Sequence, residues 1–198
     1  IIEIYEKFTG DDPRKVPMKI FPAVHYSMGG LYVDYDQMTN IPGLFAAGEC
    51  DYSQHGANRL GANSLLSAIY GGMVAGPNAV KYVNNLDKSY EDLNEDVFTR
   101  AAQAEQGKWD NILNLSGTEN AYKIHRELGE LMTANVPVVR HNDKLIETDK
   151  KIVELMERYQ NINIDDTKQW SNQAAFFIRL LWNMLVLARV ITIGALNR

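Results

Sequence analysis

The sequence predicts an α+β chain, a Gly-rich first part with short strands followed by an antiparallel helical bundle. Three observations predict it. Two short apolar runs, Leu31-Tyr32-Val33-Asp34-Tyr35 and Leu44-Phe45-Ala46-Ala47, sit among Gly, Pro and Asn turns before residue 82. The stretch from Asn84 to Asp96 is polar and poor in large apolar residues, which marks a boundary between two regions. Beyond it, apolar residues recur at every third or fourth position, the period of helices with one buried face.

In chain order, the first twenty residues close on a polar turn, Asp11-Asp12-Pro13-Arg14-Lys15, and His25-Tyr26-Ser27-Met28-Gly29-Gly30 ends a strand in a Gly-Gly turn. Met38-Thr39-Asn40-Ile41-Pro42-Gly43 is a turn leading into a short apolar strand that stops at Glu49. A helix begins near Asn63, where Gly71-Gly72 suggests close packing and Gly76-Pro77 a kink or break. Four helical segments follow. They run from about Asp92 to Lys108, from Thr118 to Thr133, from Asn142 with the stripe Leu145, Ile152, Leu155-Met156 and Tyr159, and from about Lys168 to Ile193. Their short polar or Pro-containing links favour antiparallel neighbours.

Composition narrows the function classes. Hydrophobic residues make up 45% and charged residues 23% of 198, the balance of a folded globular piece able to bury a sizeable core. A net charge of −5 and the lack of any Lys/Arg-rich run disfavour nucleic acid as a partner. The single cysteine, Cys50, excludes an intrachain disulfide and reads as a small buried apolar residue. No targeting segment is visible. The most apolar stretch, Ala174 to Ala195, is interrupted by Arg179, Asn183 and Arg189, which favours the central helix of a bundle over a membrane span.

The most informative stretch is His55-Gly-Ala-Asn-Arg-Leu-Gly-Ala-Asn-Ser-Leu-Leu66, which sets Arg59 between Gly56 and Gly61 just before a helix start at Asn63-Ser64. A guanidinium stays charged at any working pH and can grip a carboxylate through two parallel hydrogen bonds. Flanking glycines allow tight turns and close backbone approach, and the first amides of the following helix face outward unpaired. A small acid and an electron-rich group can meet at such a place. His55 either orients this loop or contacts ligand.

The ordered set HYSMGG, PGLFAAGE and HGANRLGANSLL, spread over residues 25–66, resembles the flavoprotein subunit of succinate dehydrogenase and fumarate reductase, and the helical remainder is similar to that family too. L-aspartate oxidases share the layout, but their Arg segment usually departs from the Leu-Gly that follows Arg59. The resemblance implies an FAD enzyme interconverting succinate and fumarate by hydride transfer, with His25 and Arg59 binding substrate carboxylates. It further implies that Glu49 bonds the ribityl hydroxyls of FAD and that the backbone amides of Ser64 and Leu65 reach the pyrimidine oxygen of the isoalloxazine. No catalytic residue and no metal ligand is assigned to this chain. The implied partners are an iron-sulfur subunit and a membrane anchor, and the implied location is the cytoplasmic face of the membrane, held there by those partners.

The resemblance also divides the chain into the end of a capping domain (1–20), the C-terminal part of an FAD-binding α/β domain (21–82) and a helical bundle (83–198). The family's Gly-rich dinucleotide fingerprint is not found anywhere in the sequence, nor is its flavin-linked histidine, and Arg14 does not match its proton-shuttle arginine. The expectation is an internal piece of a longer protein that by itself holds no FAD, with a non-catalytic helical interaction domain as the alternative for the chain alone. The other polar candidates read as structural. His125 and His141 lack partners at metal-ligand spacing, Asp11-Asp12 and Asp165-Asp166 suit solvated turns, and Trp109, Trp170 and Trp182 suit a bundle core.

Overall fold

The computed structural model describes residues 1–20, 23, 25–52, 54–56 and 58–198; Phe21, Pro22, Val24, Ser53 and, in the Arg59 loop, Ala57 lie outside the described residues. Within the described part are helices α1 (Ile2–Thr9), α2 (Asn63–Asn84), α3 (Glu95–Leu113), α4 (Ala121–Asn135), α5 (Asn142–Tyr159) and α6 (Gln173–Leu196). They divide between two compact units, Ile1–Asp92 and Leu93–Arg198.

In the first unit, α1 buries no side chain and ends at Gly10, whose left-handed backbone lets its N–H close on the Glu6 carbonyl. The α+β expectation needs correction here, because among the described residues neither predicted run forms a strand. Leu31 pairs only with Asp51, in parallel, and Met38 only with Phe45, antiparallel. The reason is local turn chemistry. Asp34 Oδ1 accepts the N–H groups of both Asp36 and Met38, and Gln37 takes a left-handed φ of 64°, so the chain reverses before a ladder can lengthen. A second reversal follows at Ile41-Pro42-Gly43-Leu44, where the Leu44 N–H reaches the Ile41 carbonyl at 3.1 Å and Gly43 has φ 82°. Pro then Gly in the two central positions is what a type II turn requires.

This irregular layer packs on α2 through small residues. A Cβ on Gly71 would stand 3.1 Å from the Ala47 Cβ, and one on Gly48 would stand 3.3 Å from that of Ala68. Phe45 meets Tyr82 edge to face at 6.1 Å. The predicted break at Gly76-Pro77 does not occur, and α2 continues through Pro77 to Asn84. Gly76 explains this, since the residue before proline normally clashes through its Cβ and Gly has none.

The second unit is a bundle in which α6 packs against α3, α4 and α5. Along α6 the buried positions are Ala175, Ile178, Leu181, Leu185, Ala188 and Thr192, a three-to-four spacing that draws one continuous stripe. The stripe meets Ile124 and Leu128 of α4 and Ile152, Leu155 and Tyr159 of α5 in one core. Each fully buried aliphatic there contributes about 1.5–3 kcal/mol. α6 is the one helix among the described residues long and apolar enough to cross a membrane, yet Arg179 pairs with Glu105 at 2.8 Å and Arg189 with Asp149 at 3.0 Å, which ties it into the bundle.

Side-chain caps set three of the six helix starts among the described residues. Asn94, Asn120 and Asn172 each accept a first-turn N–H of α3, α4 and α6, so these helices begin three to five residues later than apolar periodicity alone suggests. Trp109 and Trp182 pack against the core, but Trp170 is 85% exposed, outside the bundle and against expectation. One feature has no sequence signal. The link before α4 pairs with the segment after α5, Gly117 N–H to the Ile162 carbonyl at 3.0 Å and Asn163 N–H to that of Glu119 at 2.9 Å. Arg158 reinforces the junction with hydrogen bonds to both Glu119 and Glu127.

Candidate functional site

Three sequence-distant stretches converge in the first unit. The extended segment after His25 is held to the turn Gly48–Cys50 by two bonds, Ser27 N–H to Glu49 Oε1 at 2.9 Å and Leu31 N–H to the Cys50 carbonyl at 2.8 Å. Glu49 therefore sits on a 3₁₀ turn rather than at a strand end, exposed, with one oxygen engaged by the backbone. Cys50 is exposed as well, contrary to the buried reading, and its thiol points to the Ala47 carbonyl.

The same segment meets the arginine loop through Tyr26. The Arg59 guanidinium carbon lies 4.9 Å from the centroid of the Tyr26 ring. His55 stands roughly perpendicular to that ring, centroids 5.4 Å apart at 81°. The Tyr26 hydroxyl lies 3.3 Å from His55 Nε2 and 3.5 Å from Ser67 Oγ, and His55 Nε2 lies 3.1 Å from Ser67 Oγ. Ser67, buried in α2, donates to the Ser64 carbonyl at 2.8 Å. His55 thus ties the loop to the helix, which is the orienting one of its two readings.

Arg59 is half-buried and donates through Nη1 to the Leu60 carbonyl at 3.1 Å. Its Nε is buried without a hydrogen-bond partner among the described residues. An arginine in that state has a charged, partly desolvated N–H edge still to be satisfied, a demand that a carboxylate meets well. Gly56 takes the left-handed φ of 56° that its type allows, but the residue turned left-handed just before α2 is Ala62, with φ 65°, rather than Gly61.

Ser64 and Leu65 occupy the first turn of α2, which carries no side-chain cap. Their amides are among the four that a helix start leaves without intrahelical partners. His25 is exposed and makes no hydrogen bond or ion pair among the described residues. Elsewhere the acidic pairs behave as turn residues. Asp12 accepts from Arg14, which holds its carboxyl below the usual range, and Asp166 accepts the Lys168 N–H. Among the described residues no group of His, Cys, Asp and Glu could hold a metal ion. Tyr26 and Ser67 are the members of this cluster that sequence reading missed, and only the place of Tyr26 inside HYSMGG pointed toward it.

Residues 1–65 match a family described as FAD binding domain, and residues 125–198 match one described as Fumarate reductase flavoprotein C-term. The succinate dehydrogenase flavoprotein subunit of Bacillus subtilis is 74% identical over 198 residues, all of this chain and 34% of that protein. Over its whole length the chain is similar to flavoprotein subunits of succinate dehydrogenase and fumarate reductase. The fumarate reductase flavoprotein subunit of Escherichia coli K12 is 34% identical over 199 residues, covering all of this chain and 32% of that one. Among solved structures, E. coli quinol fumarate reductase superposes with a TM-score of 0.88 at 32% identity, and Mycobacterium smegmatis Sdh1 with 0.83 at 30%. Each alignment covers the whole of this chain and about a third of the other, 33% and 32%. The chain thus spans about a third of the length of the flavoprotein relatives it matches. The FAD binding domain match takes in His25, Glu49, Arg59, Ser64 and Leu65, and so covers every site residue read from the sequence.

Proposed function

We propose that this chain contributes the dicarboxylate grip and part of the flavin cradle of an FAD enzyme that interconverts succinate and fumarate and passes electrons to an iron-sulfur subunit. The observation that carries the reading is the contact of Arg59 with Tyr26. It joins the arginine loop to the residue that follows His25, so that the two groups read as carboxylate binders lie on segments that touch.

The residues fit an FAD. Glu49 keeps one carboxylate oxygen beyond its bond from Ser27, and an ionised carboxylate, which only accepts, suits the hydroxyls of a ribityl chain. The uncapped amides of Ser64 and Leu65 suit a ring oxygen where negative charge gathers. When bound, FAD supplies the hydride acceptor and donor.

The work of this chain is binding and orientation. A succinate dianion has a carboxylate at each end; Arg59 takes one through its paired N–H groups and His25 donates a ring N–H to a carboxylate. Fixing the diacid removes its rotational freedom, and the fixed guanidinium charge stabilises the electron density that moves toward a carboxylate as the central bond changes order. No proton transfer falls to these residues. Within this reading, residues 1–20 close a capping domain, 21–82 belong to the FAD-binding domain and 83–198 form the helical domain. The complex also includes a membrane anchor that holds the subunit at the cytoplasmic face of the membrane.

Succinate-dependent dye reduction by the FAD-loaded full-length flavoprotein that contains this chain, read together with flavin content, tests this. Turnover that needs both Arg59 and His25 is expected; FAD-loaded protein indifferent to succinate overturns the reading.

A further inference from the structure

We propose that Tyr26 is a positioning residue for Arg59: its ring carries the guanidinium, and its hydroxyl, held by His55 and Ser67, fixes the plane in which that ring stands. The proposal rests on the reading of Arg59 as a carboxylate grip and adds to it the device that aims the grip.

An arginine side chain has four rotatable bonds, and a carboxylate fork works only when the guanidinium is already aimed. Around Arg59 the described residues supply a single hydrogen-bond acceptor, the neighbouring Leu60 carbonyl, and no carboxylate. Such a carboxylate would compete for the very N–H groups a substrate needs. The Tyr26 ring does not compete, because it attracts the cation through its π face, 4.9 Å away, and presents no carboxylate to the guanidinium N–H groups.

The ring is itself held by a neighbouring ring and at its tip. His55 packs edge-on at 81°, and the hydroxyl lies within 3.5 Å of both His55 Nε2 and Ser67 Oγ. Counting protons orders the cluster. Ser67 has one hydroxyl proton and its 2.8 Å bond to the Ser64 carbonyl takes it, so the 3.1 Å bond between His55 and Ser67 is donated by Nε2. Ser67 is buried in the second turn of α2, just past Ser64 and Leu65. The Arg59 guanidinium is therefore referenced, through Tyr26 and Ser67, to the same helix end that bears the proposed flavin contacts. A loop arginine becomes part of a rigid element in this way.

The test uses the FAD-loaded full-length flavoprotein that contains this chain, with succinate turnover, malonate binding read from the flavin spectrum, and flavin content. Tyr26→Leu is expected to keep its flavin while the succinate KM and the malonate Kd rise by roughly threefold to thirtyfold, the span of a cation–π contact from exposed to desolvated. Tyr26→Phe, which retains the ring but loses the hydroxyl that fixes its plane, is expected to recover part of that loss. The double variant Tyr26→Leu with Arg59→Lys is expected to be no weaker in malonate binding than Arg59→Lys alone, because Tyr26 acts through the arginine. Should Tyr26→Leu fail to fold, phenylalanines of increasing ring fluorination at position 26 keep the shape and drain the π face. Malonate Kd should then climb along that series, and a flat series, or a full additive loss in the double variant, overturns the proposal. The two readings separate at Arg59. If Arg59→Lys leaves malonate binding intact, the carboxylate grip itself is wrong; if it abolishes binding while Tyr26→Leu and the fluorinated series change nothing, only the positioning role is.

Discussion

Gly30 lies so close to Cys50 that a Cβ added to it would stand 2.1 Å from the Cys50 carbonyl oxygen. The approach is what lets Leu31 bond to that carbonyl and the Tyr52 N–H return to Leu31 at 3.1 Å, and it sits beside the Ser27 to Glu49 bond. Gly30→Ala should push the Gly48–Cys50 turn away, at a cost of about 1–3 kcal/mol for an overpacked contact against backbone. Amide hydrogen exchange at Leu31 and Tyr52 should quicken by roughly tenfold or more. Unchanged exchange would mean that the turn yields without strain.

Arg158 supports a pH dependence in the bundle. Its hydrogen bonds, and then its charge, hold the carboxyls of Glu119 and Glu127 below the ordinary carboxylate range, while its own pKa is raised by the same two partners. For acids whose folded pKa is depressed, the contribution is fully present above the unfolded value and is lost as pH falls through the folded one. Partial exposure screens it to about 1 kcal/mol near neutrality. Arg158→Gln should therefore lower stability at pH 7 and leave it nearly unchanged where both glutamates are protonated, so that the acid limb of denaturant midpoint against pH becomes shallower. Parallel limbs for the two proteins would count against the network.

How much of this was legible in the sequence depends on where the deciding force lies. The stripe of α6 follows from Ile178, Leu181 and Leu185 because burial acts on periodicity, and periodicity is written in the chain. The starts of α3, α4 and α6 shifted because Asn94, Asn120 and Asn172 captured the first-turn amides, a choice among several polar residues that apolar spacing does not make. The runs at Leu31 and Leu44 looked like strands because their residue types favour extended backbone. A strand also needs a partner, and the Asp34 turn and Gln37 removed it. At the candidate site, Arg59 stood out through its flanking glycines, whereas Ser67, twelve residues beyond His55 on an ordinary helix, gave no sign of reaching it.

Substituting the grip separates binding from folding. A lysine keeps the charge of Arg59 but not the planar fork, nor its fit on the Tyr26 face. In the FAD-loaded full-length flavoprotein that contains this chain, Arg59→Lys should lose most succinate oxidation, on the order of a hundredfold for a charged hydrogen-bonded contact, while flavin content stays normal. His25→Ala should act in the same direction but more mildly, since His25 is exposed and the described residues do not hold its ring. Steady-state turnover and flavin absorbance measured on the same samples decide this, and near-normal turnover of Arg59→Lys would remove it from the substrate site.

Residues 1–198 produced by themselves are a different test of the flavin contacts. They carry no Gly-rich fingerprint of the kind that holds a dinucleotide pyrophosphate, which leaves Glu49, Ser64 and Leu65 as their proposed flavin contacts. Polar contacts of this kind give about 0.5–1.5 kcal/mol each net, less than ordering a large flexible cofactor costs. The unit Leu93–Arg198, by contrast, has its own core, with Ile124, Ile152, Leu181 and Leu185 fully buried, and needs no ligand to hold it. The expected preparation is colourless, strongly helical by circular dichroism, and melts cooperatively at a temperature that added FAD does not move. A yellow preparation, or a melting temperature raised several degrees by FAD, would show that these residues grip the flavin well enough to retain it without a pyrophosphate site.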